Sequence, residues 1–118
     1  NNGIDMINFD DFKKIELKIA KVTAAERVEG SEKLLKLQVD LGSDSLTGLG
    51  INRQIIAGIG KAHEPENLLG KEIAIVANLE PRQLMGLESQ GMVLCAAGEN
   101  GPVLLCPEKE VPPGAGIG

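Results

Sequence analysis

The chain has 118 residues, enough for one domain with a single core and no disulfide or metal staple. A hydrophobic content of 42% excludes a disordered polymer, and no apolar run reaches the length of a membrane span. The net charge of −5 and pI of about 4.9 argue against nucleic-acid binding as a bulk property, but residues 13–36 carry seven basic against four acidic side chains.

Taken in order, the chain opens with NNGIDMI, which has no basic region and no apolar core of a secretion signal. A cytoplasmic location is expected, and a first residue other than Met fits a fragment of a longer chain. Asn8 can cap a helical turn over Phe9 to Phe12, with acids at its start. These Phe are the only two aromatic residues, and both are expected as core plugs. From Ile15 the chain alternates, with Ile15, Leu17 and Ile19 on one face. The parity then changes to Ala20, Val22 and Ala24. Strand side chains alternate strictly, so the change predicts a β-bulge near Ile19 and Ala20 and a bent strand shared between two sheets.

Gly30 and Ser31 make a turn, and Leu35, Leu37, Val39 and Leu41 alternate as a second strand ended by Gly42. GSDSLTGLGIN is a loop; Arg53 to Ile59 is a third strand. Pro65 and Gly70 bracket a short helical turn. Lys71 to Ala77 and Met92 to Ala97 are the fourth and fifth strands, and Val103 to Cys106 is a late strand after the GENGP turn. That turn can bring Cys95 and Cys106 roughly opposite each other. Two buried free thiols are expected in a chain that carries no export signal. The pattern of short strands, one of them bent, is an all-β, five-stranded OB-fold barrel with short helical turns and extra terminal elements, in one domain over residues 1–118. A generic small barrel or sandwich gives a similar string.

The segment between strands four and five, Asn78 to Met92, is long, polar-decorated and anchored by Leu79, Leu84, Met85 and Leu87. It reads as a binding loop, or else as a barrel plug in which Leu84 and Met85 fill the open end. Arg82 can pair with phosphate or a base edge. Asn78, Ser89 and Gln90 offer neutral donors and acceptors. Met85 and Met92 can pack on an unstacked base. Lys33 and Lys36 lie on the second strand, part of the usual binding face of such barrels, and Arg53 is a further cation nearby. Solvated strand faces compete with these roles for the lysines, a core position for Met92 and a turn cap for Ser89. No nucleophile elbow, phosphate loop, cysteine–histidine metal spacing or paired catalytic carboxylates are present, and His63 stands alone beside Glu64 and Pro65. No catalytic residue, metal or cofactor is expected.

PRQLMGLESQGM, together with FDDFKKIELKIAKV, GSEKLLKLQVDLG, RQIIAGI, PENLLGK and GPVLLCPEKEVPPGA, resembles the tRNA-binding domain appended to methionyl-tRNA synthetases. The same domain occurs as free-standing tRNA-binding proteins and in eukaryotic synthetase-associated cofactors. The resemblance covers nearly the whole chain. It implies an OB-fold, a tRNA partner bound by shape and backbone, no catalysis of its own, and a homodimer built from the terminal additions. It matches Ser89 and Met92 to RNA-contacting residues, Arg82 to a basic loop residue and Lys33 to a lysine after the first turn. Glu80 and Gln83 stand where the family often has basic residues, and AHEPENL lacks the family's aromatics. These departures imply weak binding. They keep two alternatives open: an export-related chaperone of the same fold that binds unfolded polypeptide, and a module for dimerisation alone.

Overall fold

The computed structural model describes residues 5–118. One helical turn, α1 (Phe9–Phe12), is followed by β1 (Leu17–Arg27), β2 (Leu35–Ser43), β3 (Gly50–Ala57), a 3₁₀ turn (Pro65–Leu68) and β4 (Glu72–Val76). Five short strands complete the described chain: β5 (Arg82–Leu84), β6 (Leu87–Ser89), β7 (Met92–Val93), β8 (Cys95–Gly98) and β9 (Gly101–Leu104). The main sheet has the order β3-β2-β1-β4-β7 with antiparallel pairing. β5–β6 and β8–β9 are separate hairpins.

β1 organises the sheet because it changes partner along its length. Leu17 to Lys21 pair with β4, and Lys21 to Arg27 pair with β2. The sheet therefore curls around the apolar face of β2, where Leu35, Leu37, Val39 and Leu41 are all buried. Ala20, Val22, Ile55, Ile73 and Ile75 complete this core, and Leu68 of the 3₁₀ turn closes it at 1% exposure. The architecture is the curled all-β sheet of an OB-fold.

The irregular first strand is present, but it belongs to one curled sheet and is not shared between two, and its irregularity lies between Val22 and Ala24 and not at Ile19 and Ala20. Neighbouring strand residues point to opposite faces. Ile19 and Ala20 are both buried, so both faces are covered there without an inserted residue. The edge of β1 is also occupied: Ile19 N–H donates to Ala115 O at 2.9 Å and Ile117 N–H to Leu17 O at 2.9 Å.

Asn8 caps α1 as expected, its Oδ1 accepting from Asp11 N–H at 2.8 Å. Phe9, however, is 70% exposed and Phe12 only half-buried, because so short a helix buries no face. β3 begins earlier than Arg53 because β2 pairs with it as far as Ser43 opposite Gly50. The expected fifth strand breaks at Leu94: Met92 and Val93 pair with β4, whereas Cys95 onward pairs with β9. Both cysteines are free, but only Cys95 is half-buried. The hairpin register sets Cys95 opposite Leu104, so Cys106 falls beyond the strand, before Pro107, and is exposed. Burial raises the Cys95 thiol above its ordinary pKa.

Candidate nucleic-acid interface

The segment from Asn78 to Met92 is not an irregular loop. Arg82, Gln83 and Leu84 pair with Ser89, Glu88 and Leu87, and two residues turn the hairpin. Both turn residues lie in the left-handed region, Met85 at φ 50° and Gly86 at φ 80°. Positive φ at both positions belongs to a type I′ turn, whose twist matches its flanking strands. Met85 sits at the tip, 58% exposed, so it projects from the barrel and does not plug it.

Four of the expected site residues fasten this hairpin to the barrel. Arg53 on β3 donates through Nη1 to Ala77 O at 2.8 Å and Gln90 O at 3.4 Å, so one guanidinium holds both ends of the segment. Asn78 Oδ1 accepts from Glu16 N–H at 2.8 Å, while its Nδ2 donates to Lys14 O at 2.7 Å. Ser89 is 4% exposed; its hydroxyl accepts from Ile56 N–H at 3.0 Å and donates to Gly91 O at 3.2 Å. Gln90 exchanges two hydrogen bonds with Gln54. Gln54 also donates through Nε2 to Glu88 O at 2.9 Å and accepts from Gln38 Nε2 at 3.0 Å. Sequence reading missed Gln38 and Gln54, since two glutamines on neighbouring strands look like a solvated face. Their alternation with the buried residues of β2 and β3 is the one signal that could have found them.

The hairpin separates two sets of the remaining candidates. On one side, Lys33, Arg82 and Met92 line a cleft of about 300 Å³ whose apolar wall is Leu34, Ile56, Leu84 and Val93. Among the described residues no carboxylate lines this cleft, and neither Lys33 nor Arg82 forms an ion pair. Lys33 is placed by its backbone: its N–H donates to Ser31 Oγ at 3.2 Å, and its carbonyl accepts from Gly60 N–H at 2.7 Å. On the other side, Lys36 lines a cleft with Met85, Leu87 and two glutamates. The β1–β2 register sets Lys36 directly opposite Glu26, and Nζ meets Oε1 at 2.7 Å. Lys36 is thus largely neutralised. Glu80 lines a third cleft with Glu16 and Arg53, one that shares no lining residue with the Lys33–Arg82 cleft.

A cleft with two free cations, an apolar wall and no acid suits a polyanion that carries flat apolar groups. His63, expected to be solvated or capping, is half-buried with its Nε2 2.8 Å from Pro102 O; a carbonyl only accepts, so Nε2 is the donor, and the contact ties the segment before the 3₁₀ turn to the β8–β9 hairpin.

Comparison with known proteins points the same way. The family described as "Putative tRNA binding domain" matches residues 17–116. The chain is similar to the methionine–tRNA ligase of Methanococcoides burtonii, 49% identical over 96% of this chain and 16% of the ligase. It is likewise similar to that of Caldanaerobacter subterraneus subsp. tengcongensis, 46% identical over 97% of this chain and 17% of the ligase. It therefore spans about a sixth of the length of these relatives. Among solved structures it is similar to a MetRS-related protein from Pyrococcus horikoshii, with TM-score 0.83, 37% identity, and coverage of 95% of this chain and 97% of that one. It is also similar to the chaperone CsaA of Bacillus anthracis, with TM-score 0.80, 34% identity, and coverage of 96% and 99%. The chain belongs to the tRNA-binding domain family.

Proposed function

We propose that this domain is an accessory tRNA-binding module of methionyl-tRNA synthetase, non-catalytic in itself, that lends affinity for tRNA through shape and backbone with little sequence preference. The observation that carries the reading is the acid-free cleft holding Lys33, Arg82 and Met92 in a chain of net charge −5. Lys33 and Arg82 take phosphates, and Met92, 46% exposed, packs on a base. Lys36 and Met85 form a weaker flank on the far side of the hairpin. Arg53, Asn78, Ser89 and Gln90 position the hairpin, Arg53 through Nη1, Asn78 through both amide atoms, Ser89 through its hydroxyl and Gln90 through Oε1. Tethered to a catalytic chain, even weak binding raises the effective concentration of tRNA at that chain.

The module acts as a single domain in the cytoplasm and as a symmetric dimer. Exposed Met6, Ile7 and Phe9 near the front, with Val103 and Leu105 near the end, supply apolar surface for a two-fold interface. Sedimentation showing monomer alone at micromolar concentration contradicts the dimer.

Filter binding with total tRNA tests the main reading. Arg82→Ala is expected to weaken binding and flatten the log K against log salt slope by about 0.7 to 0.9, one counterion. Glu80→Lys is expected to tighten binding modestly, since Glu80 lines another cleft but stands two residues from Arg82, within a screening length of about 8 Å at physiological salt. The likeness to CsaA supports a second reading, a chaperone for unfolded polypeptide. Suppression of aggregation of a denatured protein, unchanged by Arg82→Ala and with no tRNA retained on the filter, selects that reading.

A further inference from the structure

The cleft at the hairpin does not end at Lys33. A second cleft of about 380 Å³ continues past it, lined by Lys61, Ala62, Asn100 and Pro102, and the two share Lys33, Gly58 and Ile59. The combined groove runs from Arg82 at one end to Lys61 at the other, and among the described residues no carboxylate lines either wall. Lys33 crosses it at the middle. Its side chain lies along Gly58: a Cβ placed on Gly58 would sit 2.9 Å from Lys33 Cε and 3.7 Å from both Cγ and Cδ. The far wall is fixed, since the His63 ring holds Pro102 O at 2.8 Å.

We propose that this groove binds a single-stranded nucleic-acid segment of at least two nucleotides, one base in each cleft and the linking phosphate on the Lys33 ammonium. Each cleft has one apolar wall, Leu84 and Met92 in the first and Ala62 and Pro102 in the second, and one end cation, Arg82 or Lys61. The geometry alternates cation and apolar surface in the way a strand with splayed bases alternates phosphate and base. A paired duplex buries the bases that these walls would meet. Lys61 and Asn100 are thereby assigned as contacts, and Gly58 as a positioning residue that leaves room for the Lys33 stem. The inference rests on the nucleic-acid reading above and narrows its ligand to unpaired strands.

Fluorescence anisotropy with labelled oligouridylates of two and six nucleotides, a blunt RNA duplex and total tRNA tests it. Three cations on a single strand give a salt slope of roughly −2 for the six-nucleotide probe. Lys61→Ala is expected to reduce that slope by roughly 0.7 and weaken the six-nucleotide probe several-fold, with Arg82→Ala doing the same from the other end. Gly58→Ala displaces a flexible side chain and no backbone, so its circular dichroism is expected to match wild type while binding of both oligouridylates falls. Unchanged affinity and slope in Lys61→Ala overturns the second cleft. A duplex bound as tightly as the six-nucleotide strand overturns the single-strand assignment. If tRNA binds and responds to Arg82→Ala while Lys61→Ala is silent, only this inference fails; if wild type retains neither tRNA nor oligonucleotide, the tRNA reading fails with it.

Discussion

Gln90 and Gln54 are joined by two hydrogen bonds, Gln90 N–H to Gln54 O at 2.7 Å and Gln54 N–H to Gln90 Oε1 at 2.9 Å. The side-chain amide oxygen stands where a neighbouring strand would offer a carbonyl. It satisfies a partly buried donor at the point where β3 and the hairpin meet but do not pair as strands. Gln90→Ala removes the acceptor and is expected to cost about 1 kcal/mol of stability. Hydrogen exchange at the Gln54 amide checks this: protection there should fall more than at Ile55, whose side chain is fully buried.

Ser89→Ala is expected to act through stability more than through binding. The Ile56 N–H, now bonded to Ser89 Oγ at 3.0 Å in a buried position, is left without a partner. An orphaned buried donor costs about 1–3 kcal/mol, which for a domain of this size lowers Tm by several degrees. Thermal denaturation measures it. A Tm equal to wild type together with lost tRNA affinity would instead make Ser89 a direct contact.

Met85 occupies a left-handed position at φ 50°, where Asn and Gly are the favoured residues. Met85→Asn relieves that strain and is expected to stabilise the domain by about 1 kcal/mol. The Met85 methyl lies against Gly30, 3.4 Å from where a Cβ there would be, and little packing is lost at so exposed a tip. Denaturant titration with an unchanged or lower midpoint would contradict the strain. Because Met85 lies on the Lys36 side of the hairpin, binding in the Lys33–Arg82 cleft is expected to persist.

The two thiols are expected to separate in reactivity. Cys106 is exposed and Cys95 half-buried, with burial raising the Cys95 pKa above 9.0. Iodoacetamide at mildly alkaline pH should label Cys106 first, since thiolate character and access set the rate. The raised folded pKa of Cys95 favours the protonated form. Its contribution to stability is complete below the unfolded pKa near 9.0 and is lost as pH rises through the higher folded value. Peptide mapping of the first alkylated site decides the order.

The sequence alternation was sufficient for β2, where every second residue from Leu35 to Leu41 is buried. It misplaced the irregularity in β1, because apolar residues at Ile19 and Ala20 signal cover on both faces as readily as an inserted residue. The hairpin within residues 78–92 was not legible, since Met-Gly lacks the Asn-Gly or Asp-Gly signature of its turn. Lys36 looked as available as Lys33 until the register set Glu26 opposite it. That register depends on the shift between Val22 and Ala24, a long-range feature that local pattern does not encode. Arg53 and Gln90 are expected from the sequence as RNA contacts; the partners the fold gives them are the main chain of the barrel and hairpin, visible only after folding.

The Arg53 contact has a consequence for how binding strength is set. By gripping Ala77 O and Gln90 O together, it fixes both feet of the hairpin in the unliganded protein. The conformational entropy of ordering that segment is lost during folding and is not subtracted again when a ligand arrives. Releasing the grip with Arg53→Ala would leave Lys33, Arg82 and Met92 chemically unchanged, yet calorimetry should record weaker binding with a more unfavourable entropy. A side chain lining a different cleft would then govern affinity by how still it keeps Lys33, Arg82 and Met92.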